Sequence, residues 1–169
     1  MQDVRSAFDI YKSICGEYKY LERIPEIFTE DALGGNVACG HIQGLEALTI
    51  FYRSAQNSGL QPEDYLWEMI AGNVLAFRFR QYGGTKYDSP FFDGIGQLIF
   101  DDDKRKFKYY YGVFDVASAM RVMNSNSSNA ERATQEMVLA IEATNRYRAD
   151  NPGCENTLAS DNRYVHFGE

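Results

Sequence analysis

The sequence predicts an α+β fold: a curved, mostly antiparallel sheet wrapped around N-terminal helices, with an extra helix towards the C-terminus. Three observations carry this expectation. Apolar residues recur at helical spacing in the early part of the chain. Four β-rich runs then follow one another between residues 65 and 115, separated by short turns, as in an antiparallel meander. The third run holds Gly94 and Gly96, which predict a bulge or a sharp bend that would curl the sheet around the helices.

The elements follow in order. Residues 3–20 read as a helix with Asp3 as N-cap, because Val4, Ala7, Phe8, Tyr11, Ile14, Cys15 and Tyr18 share one face. A short second helix is expected at Leu21–Phe28, with Pro25 tolerated near its first turn, and Thr29–Gly35 reads as a turn. Asn36–Cys39 is a candidate short strand that Gly40–Gly44 interrupts. Leu45–Ser58 reads as a third helix stopped by Gly59 and Pro62. The strands are expected at Tyr65–Ile70, Val74–Tyr82, Phe91–Phe100 and Phe107–Asp115, with a short helix at Val116–Val122. Beyond the polar linker Asn124–Asn129, Ser128 and Glu131 have capping-box spacing ahead of a helix at 130–148. That helix is expected to dock on the body or on a partner subunit, the dimer being favoured. The tail from Asp150 to Glu169 shows no period. The chain thus divides into residues 1–123, the main domain, and 124–169, a linker, helix and tail.

Composition narrows the function classes. At 169 residues one domain with a real core is expected. Aromatic residues make up 14%, with twelve Tyr and eleven Phe against one Trp, which suits a β-rich core or a ring-lined cavity. The net charge of −7 and the lack of a basic stripe argue against nucleic-acid binding; Lys104, Arg105, Lys106 and Lys108 directly follow three aspartates in what reads as a solvated hairpin end. Three cysteines without a CxxC pair argue against a disulfide framework or a zinc site. The N-terminal residues lack an apolar signal core and no run is apolar enough to span a bilayer, so a cytoplasmic protein without membrane attachment is expected. No phosphate loop, dinucleotide fingerprint or metal-ligand motif stands out, so neither cofactor nor metal is expected.

Three stretches carry a resemblance: Ile27–Ala32, then Ile42–Leu48 leading into Phe51-Tyr52-Arg53, then Gly96–Asp102 running to Lys108–Asp115. Taken together and in this order, residues 3–123 resemble the nuclear transport factor 2-like superfamily and, within it, the SnoaL-like domains. The resemblance implies a cystatin-like cone with a pocket between curved sheet and helices, and often a homodimer through the outer face of the sheet. Its members include polyketide cyclases, ketosteroid isomerases, limonene epoxide hydrolases, dehydratases and non-catalytic modules, so the fold fixes function poorly.

Candidate site residues follow from strand alternation. On the last strand Tyr109, Tyr111, Val113 and Asp115 share one face, opposite Lys108, Tyr110, Gly112 and Phe114. In the cyclases and hydrolases this chain resembles, that strand ends in an acid facing the pocket, and Asp115 stands there. Desolvation would raise its pKa and suit it to proton transfer, with Tyr109 and Tyr111 as hydrogen-bond donors to a developing oxyanion. Asp115 also precedes a helix, where Asp serves equally as a cap. Arg78 and Arg80 lie opposite Phe77 and Phe79; they face the pocket if the Phe face is the dimer surface and solvent if it is core. The epoxide hydrolases that the chain resembles carry an Arg and an Asp two apart here; Arg78 matches the first, whereas Arg80 replaces the acid, which weakens a hydrolase reading. His41 is a candidate proton shuttle at the pocket mouth or a structural loop residue. Trp67, Arg80, Val113 and Phe51 are candidate substrate contacts. The expected function is cofactor-independent acid–base chemistry of the cyclase or isomerase type on a small hydrophobic carbonyl compound, a natural-product intermediate. The alternative is a non-catalytic module that binds a hydrophobic ligand or dimerises; hydrolysis or dehydration ranks below both.

Overall fold

The structure, a computed structural model, describes residues 3–84, 89–124 and 127–154. Helix α1 (Val4–Tyr11) starts at Asp3, whose carboxylate accepts the Ser6 N–H at 2.8 Å. It runs into a π-helical turn, Lys12–Gly16. Tyr18 and Tyr20 then take left-handed backbone, with φ of 53° and 56°, which redirects the chain. A 3₁₀ turn at Leu21–Arg23 and the one-turn helix α2 (Ile24–Ile27) follow.

From Phe28 the chain departs from the expected pattern. Strand β1 covers Phe28–Asn36 and strand β2 covers Gly40–Gln43, so the residues expected as a turn are strand and those expected as a strand form the hairpin turn. Asn36 explains the exchange. Its side-chain oxygen accepts the N–H groups of Ala38 (2.9 Å) and Cys39 (3.1 Å), an Asx turn that bends the chain where a local reading sees extension.

Helix α3 (Leu45–Asn57), strands β3 (Asp64–Ala71), β4 (Val74–Tyr82), β5 (Phe91–Asp101) and β6 (Lys106–Phe114), and helices α4 (Val116–Asn124) and α5 (Ser127–Asp150) complete the order. The six strands form one sheet in the order β2-β1-β6-β5-β4-β3. Pairings are antiparallel except β1 with β6, which is parallel. The sheet is therefore mixed, because β1 enters it beside the last strand of the meander. No described helix is long and apolar enough to cross a membrane.

The inner face of the sheet carries a layer of rings. Phe77 meets Phe8 of α1 with centroids 5.2 Å apart, and Tyr11 contacts Phe28, Tyr52, Phe77, Phe107 and Tyr110. The two glycines of β5 do not make a bulge; pairing with β4 is unbroken across them, and the β5–β6 irregularity falls at Ile99/Phe100. They make room instead: a Cβ at Gly94 would collide with the Phe79 ring, and one at Gly96 with the Phe77 ring.

Helix α5 packs on α3 of the same chain rather than waiting for a partner subunit. Ser54 Oγ donates to the Ala133 carbonyl at 3.0 Å, Asn57 Nδ2 donates to Glu136 Oε1 at 2.6 Å, and the Gln43 N–H donates to Thr144 Oγ1 at 3.0 Å. Ala133, Ala140 and Ala143 are buried there, small side chains that let the helices approach closely.

Gly96→Ala is expected to lower stability by about 1–3 kcal/mol through overpacking against Phe77. Urea unfolding would show this as a lower midpoint with an unchanged slope.

Candidate functional site

Between the inner face of the sheet and helices α3, α4 and α5 lies a cavity of about 260 Å³. Strand alternation supplies one wall: Phe79 and Gln81 from β4, Phe92 from β5, Tyr110 and Phe114 from β6. Phe51, Tyr52 and Ala55 come from α3, while Met120 of α4 and Ala133 and Met137 of α5 close the other side. Seven aromatic rings line the space, and among the described lining residues there is no Lys, Arg or His.

The sole acid among the described lining residues is Glu63, on the segment between α3 and β3. Its backbone N–H donates to the Gly16 carbonyl at 3.0 Å, so the π-helical turn fixes its position. The residue as a whole is half-buried, yet its Oε2 is buried and has no hydrogen-bond partner. Desolvation pushes the carboxyl up to about 7, and the neighbouring Tyr65 phenol opposes only part of that rise. Tyr65 Oη is likewise buried, beside the carboxyl.

The phenols of Tyr18, Tyr52 and Tyr110 also reach the cavity, and burial raises each well above its ordinary value, so they stay protonated. Gln81 Nε2 donates to Tyr18 Oη, and Gln56 Nε2 donates to the Tyr18 carbonyl at 2.6 Å. These two bonds hold a residue whose backbone is left-handed, a conformation that persists where the surroundings over-determine it. Tyr52 Oη donates to Tyr11 Oη at 3.2 Å, tying the cavity wall to the core.

The site expected from the sequence lies mostly on the other side of the sheet. The alternation on β6 holds, but the inward set is Tyr110, Gly112 and Phe114, because Tyr110 packs against Tyr11 and Tyr52. Asp115 is outside the cavity, its side chain 66% exposed. It caps α4, accepting the N–H groups of Ala117 (3.3 Å) and Ser118 (3.1 Å) as well as the Ser118 hydroxyl. Those Ser118 bonds hold its pKa below the ordinary value, the reverse of the desolvated acid expected.

Tyr109 and Tyr111 lie on the outer face beside His41. The His41 ring stacks on Tyr111 at 4.6 Å, and its Nε2 is 3.4 Å from the Tyr109 hydroxyl. Partial burial, and then the charge of Arg148, keep His41 below its ordinary pKa. Phe77 and Phe79 are buried, so Arg78 and Arg80 point outward. Both bind Asp93: Arg78 through Nη2 at 2.6 Å, Arg80 through Nε at 2.6 Å and Nη2 at 2.9 Å. Arg80 also lies 4.0 Å over the Phe91 ring. Trp67 and Val113 are 42% and 52% exposed on the same outer face. Of the expected residues only Phe51 lines the cavity.

Glu63 escaped a reading by strand period because β3 slips register between Tyr65 and Trp67. Glu63 and Tyr65 point inward, and so do Glu68 and Ile70, whereas unbroken alternation from either end gives the wrong face for the other. The available signal was the pair itself, an acid two residues before an aromatic at the start of a strand. Among the described residues no group of three His, Cys, Asp or Glu is arranged to hold a metal.

No family model matches the chain, and no curated protein matches it. Solved structures do. One assigned as a SnoaL-like polyketide cyclase from Shewanella denitrificans is 12% identical, with a TM-score of 0.57 over 73% of this chain and 98% of the other. An LEH-like epoxide hydrolase from M. tuberculosis is 13% identical, with a TM-score of 0.56 over 74% and 92%. A de novo designed protein with a curved β-sheet is 14% identical, with a TM-score of 0.55 over 72% and 92%. The chain has the cystatin-like fold of nuclear transport factor 2-like and SnoaL-like proteins. A designed protein among the matches underlines that this fold alone names no reaction.

The raised Glu63 pKa has a consequence for stability. Between its unfolded value of 4.5 and its folded value of about 7, the folded protein keeps a proton that the unfolded chain releases. Stability therefore falls as pH rises through this window and levels off above it. The full difference is about 3–4 kcal/mol. Glu63→Gln is expected to gain stability relative to wild type across that same window, measured by urea unfolding at several pH values.

Proposed function

We propose that, on this nuclear transport factor 2-like fold, the cavity carries out acid–base chemistry of the isomerase or cyclase type on a small hydrophobic carbonyl compound, with Glu63 as the proton-transfer group. The observation that supports this is the buried carboxyl with an unpartnered Oε2 in a ring-lined cavity, titrating near neutrality. As a carboxylate, Glu63 takes the proton on the carbon next to the carbonyl. The electrons of that C–H bond form the enolate, whose oxygen accepts a hydrogen bond from the phenol of Tyr18 or Tyr110. Glu63, now the acid, returns its proton at another carbon in an isomerisation. In a cyclisation the enolate carbon instead attacks a second carbonyl carbon held close by the apolar walls; the π bond of that carbonyl breaks, and the alkoxide formed takes the proton from Glu63. Asp115, expected from the sequence as base, serves as helix cap in this reading.

Deuterium exchange next to the carbonyl, followed by NMR in D₂O with small hydrophobic ketones such as tetralone, tests the reaction without a known substrate. Wild type is expected to accelerate exchange with a rate that rises through an apparent pKa near 7. Glu63→Gln is expected to lose about 10²–10⁴-fold of that acceleration, and Asp115→Asn to keep it. Equal exchange by Glu63→Gln and wild type would sink the assignment; absence of exchange with every ketone would favour a binding module.

We propose in addition that the chain forms a homodimer through the outer face of the sheet. Trp67, Arg78, Ile95 and Val113 are neighbours across β3, β4, β5 and β6, and the three apolar members are each at least 42% exposed. Light scattering is expected to give twice the chain mass for wild type and the monomer mass for Ile95→Lys. A monomeric wild type would refute the pairing.

A further inference from the structure

We propose that the cavity selects an organic cation: a small apolar compound carrying a quaternary or protonated nitrogen. The inference rests on the placement of Glu63 argued above and adds the chemical class of what the cavity holds. Three observations about the lining converge on it. The only charged side chain among the described lining residues is one carboxylate, and no cation accompanies it. Its Oε2 is buried without a partner, so the ionised form is an uncompensated charge that a positive ligand would neutralise. The wall also holds seven aromatic rings and the polarisable side chains of Met120, Met123 and Met137, surfaces that attract a desolvated cation. An anionic ligand meets the reverse in each respect: it would face a carboxylate with no Lys, Arg or His to receive it. The net charge of −7 adds a long-range field of the same preference.

The inference also fits the chemistry of the base. A positive nitrogen beside Glu63 favours its ionised form, which is the form able to take a proton. A hydrophobic amino ketone or its quaternary analogue therefore satisfies both the charge and the reaction.

The groups facing Glu63 leave it alone in control of the charge near neutrality. The phenols of Tyr11, Tyr18, Tyr52, Tyr65 and Tyr110 and the thiols of Cys15 and Cys39 all have raised pKa values and stay neutral there. His41, whose pKa burial lowers from its ordinary value, sits on the opposite face of the sheet. Cation binding should thus strengthen as pH rises through the Glu63 titration and weaken below it.

The test is a titration of the protein carrying ¹³C-methyl methionine and ¹³Cδ-labelled glutamate, with binding read from the methyl shifts of Met120, Met123 and Met137. The probes are benzyltrimethylammonium, its neutral carbon isostere neopentylbenzene, and phenylpropionate as the anion. At about pH 8.5 the ammonium is expected to bind at least about tenfold more tightly than the isostere, and phenylpropionate least of all. That advantage is expected to shrink to about twofold or less at about pH 5.5, and likewise in Glu63→Gln. Equal binding of ammonium and isostere at high pH, preference for the anion, or a cation advantage that survives in Glu63→Gln would each overturn the proposal. The pH 5.5 measurement on wild type keeps the test decisive even if the variant fails to fold. Carboxyl ¹³C shifts in the same samples separate the two readings of the site. Glu63 titrating near 7 without cation preference removes the ligand class alone, whereas titration near its ordinary value removes the acid–base assignment as well.

Discussion

The packing of Phe77 and Phe79 over a strand that offers no side chains beneath them is the constraint on which the rest of the structure depends. Between Phe92 and Leu98, Gly94 and Gly96 leave the inner surface of β5 bare, and the two rings lie into it. That seating lets Phe8 and Tyr11 of α1 reach the sheet and join a continuous aromatic layer with Phe28, Tyr52, Phe107 and Tyr110. Filled at the α1 end, the layer stops short at the other, where Phe79, Phe92 and Phe114 border open space instead of a helix face. The core and the cavity are thus two ends of one surface.

The two sides of the sheet handle charge in opposite ways. On the outer face Arg78 and Arg80 share Asp93, a compact cluster in contact with water, where such pairs contribute modestly to stability. In the cavity wall the one acid among the described lining residues, Glu63, has a buried Oε2 and no cation beside it, at the expense of native stability above neutrality. A buried acid retained at such a cost is the kind of local conflict that marks function rather than folding.

Much of the fold was legible from periodicity and turn chemistry. The four meander strands, α3 and α5 have strong patterns and few competing readings, and the structure finds them within a few residues of the expected bounds. The β1–β2 hairpin was not legible, because its turn is made by one Asn side chain and its first strand depends on pairing with β6, a partner some seventy-five residues later. The site suffered from a phase problem. Alternation assigns residues to two faces but not the faces to inside and outside; Tyr109, Tyr111 and Asp115 belong together, on the side away from the cavity. Phe77 and Phe79 held the answer, since two adjacent inward Phe residues fix the phase of β4 and, through the register, that of β5 and β6. Glu63 needed more, because the irregularity in β3 breaks the chain of inference before it reaches that residue.

The last described helix is also a wall of the cavity, and this sets an order of events during synthesis. All six strands and α3 precede residue 115, so they leave the ribosome ahead of α5. Until α5 docks, Phe51 and Ala55 of α3 border water instead of Ala133 and Met137. Without α5 the cavity is an open, greasy trough, the kind of surface that chaperones hold and that aggregates when left alone. Docking of this helix closes the cavity that Glu63 lines, so the space in which the proposed chemistry takes place depends on an element that lies after the whole of the sheet.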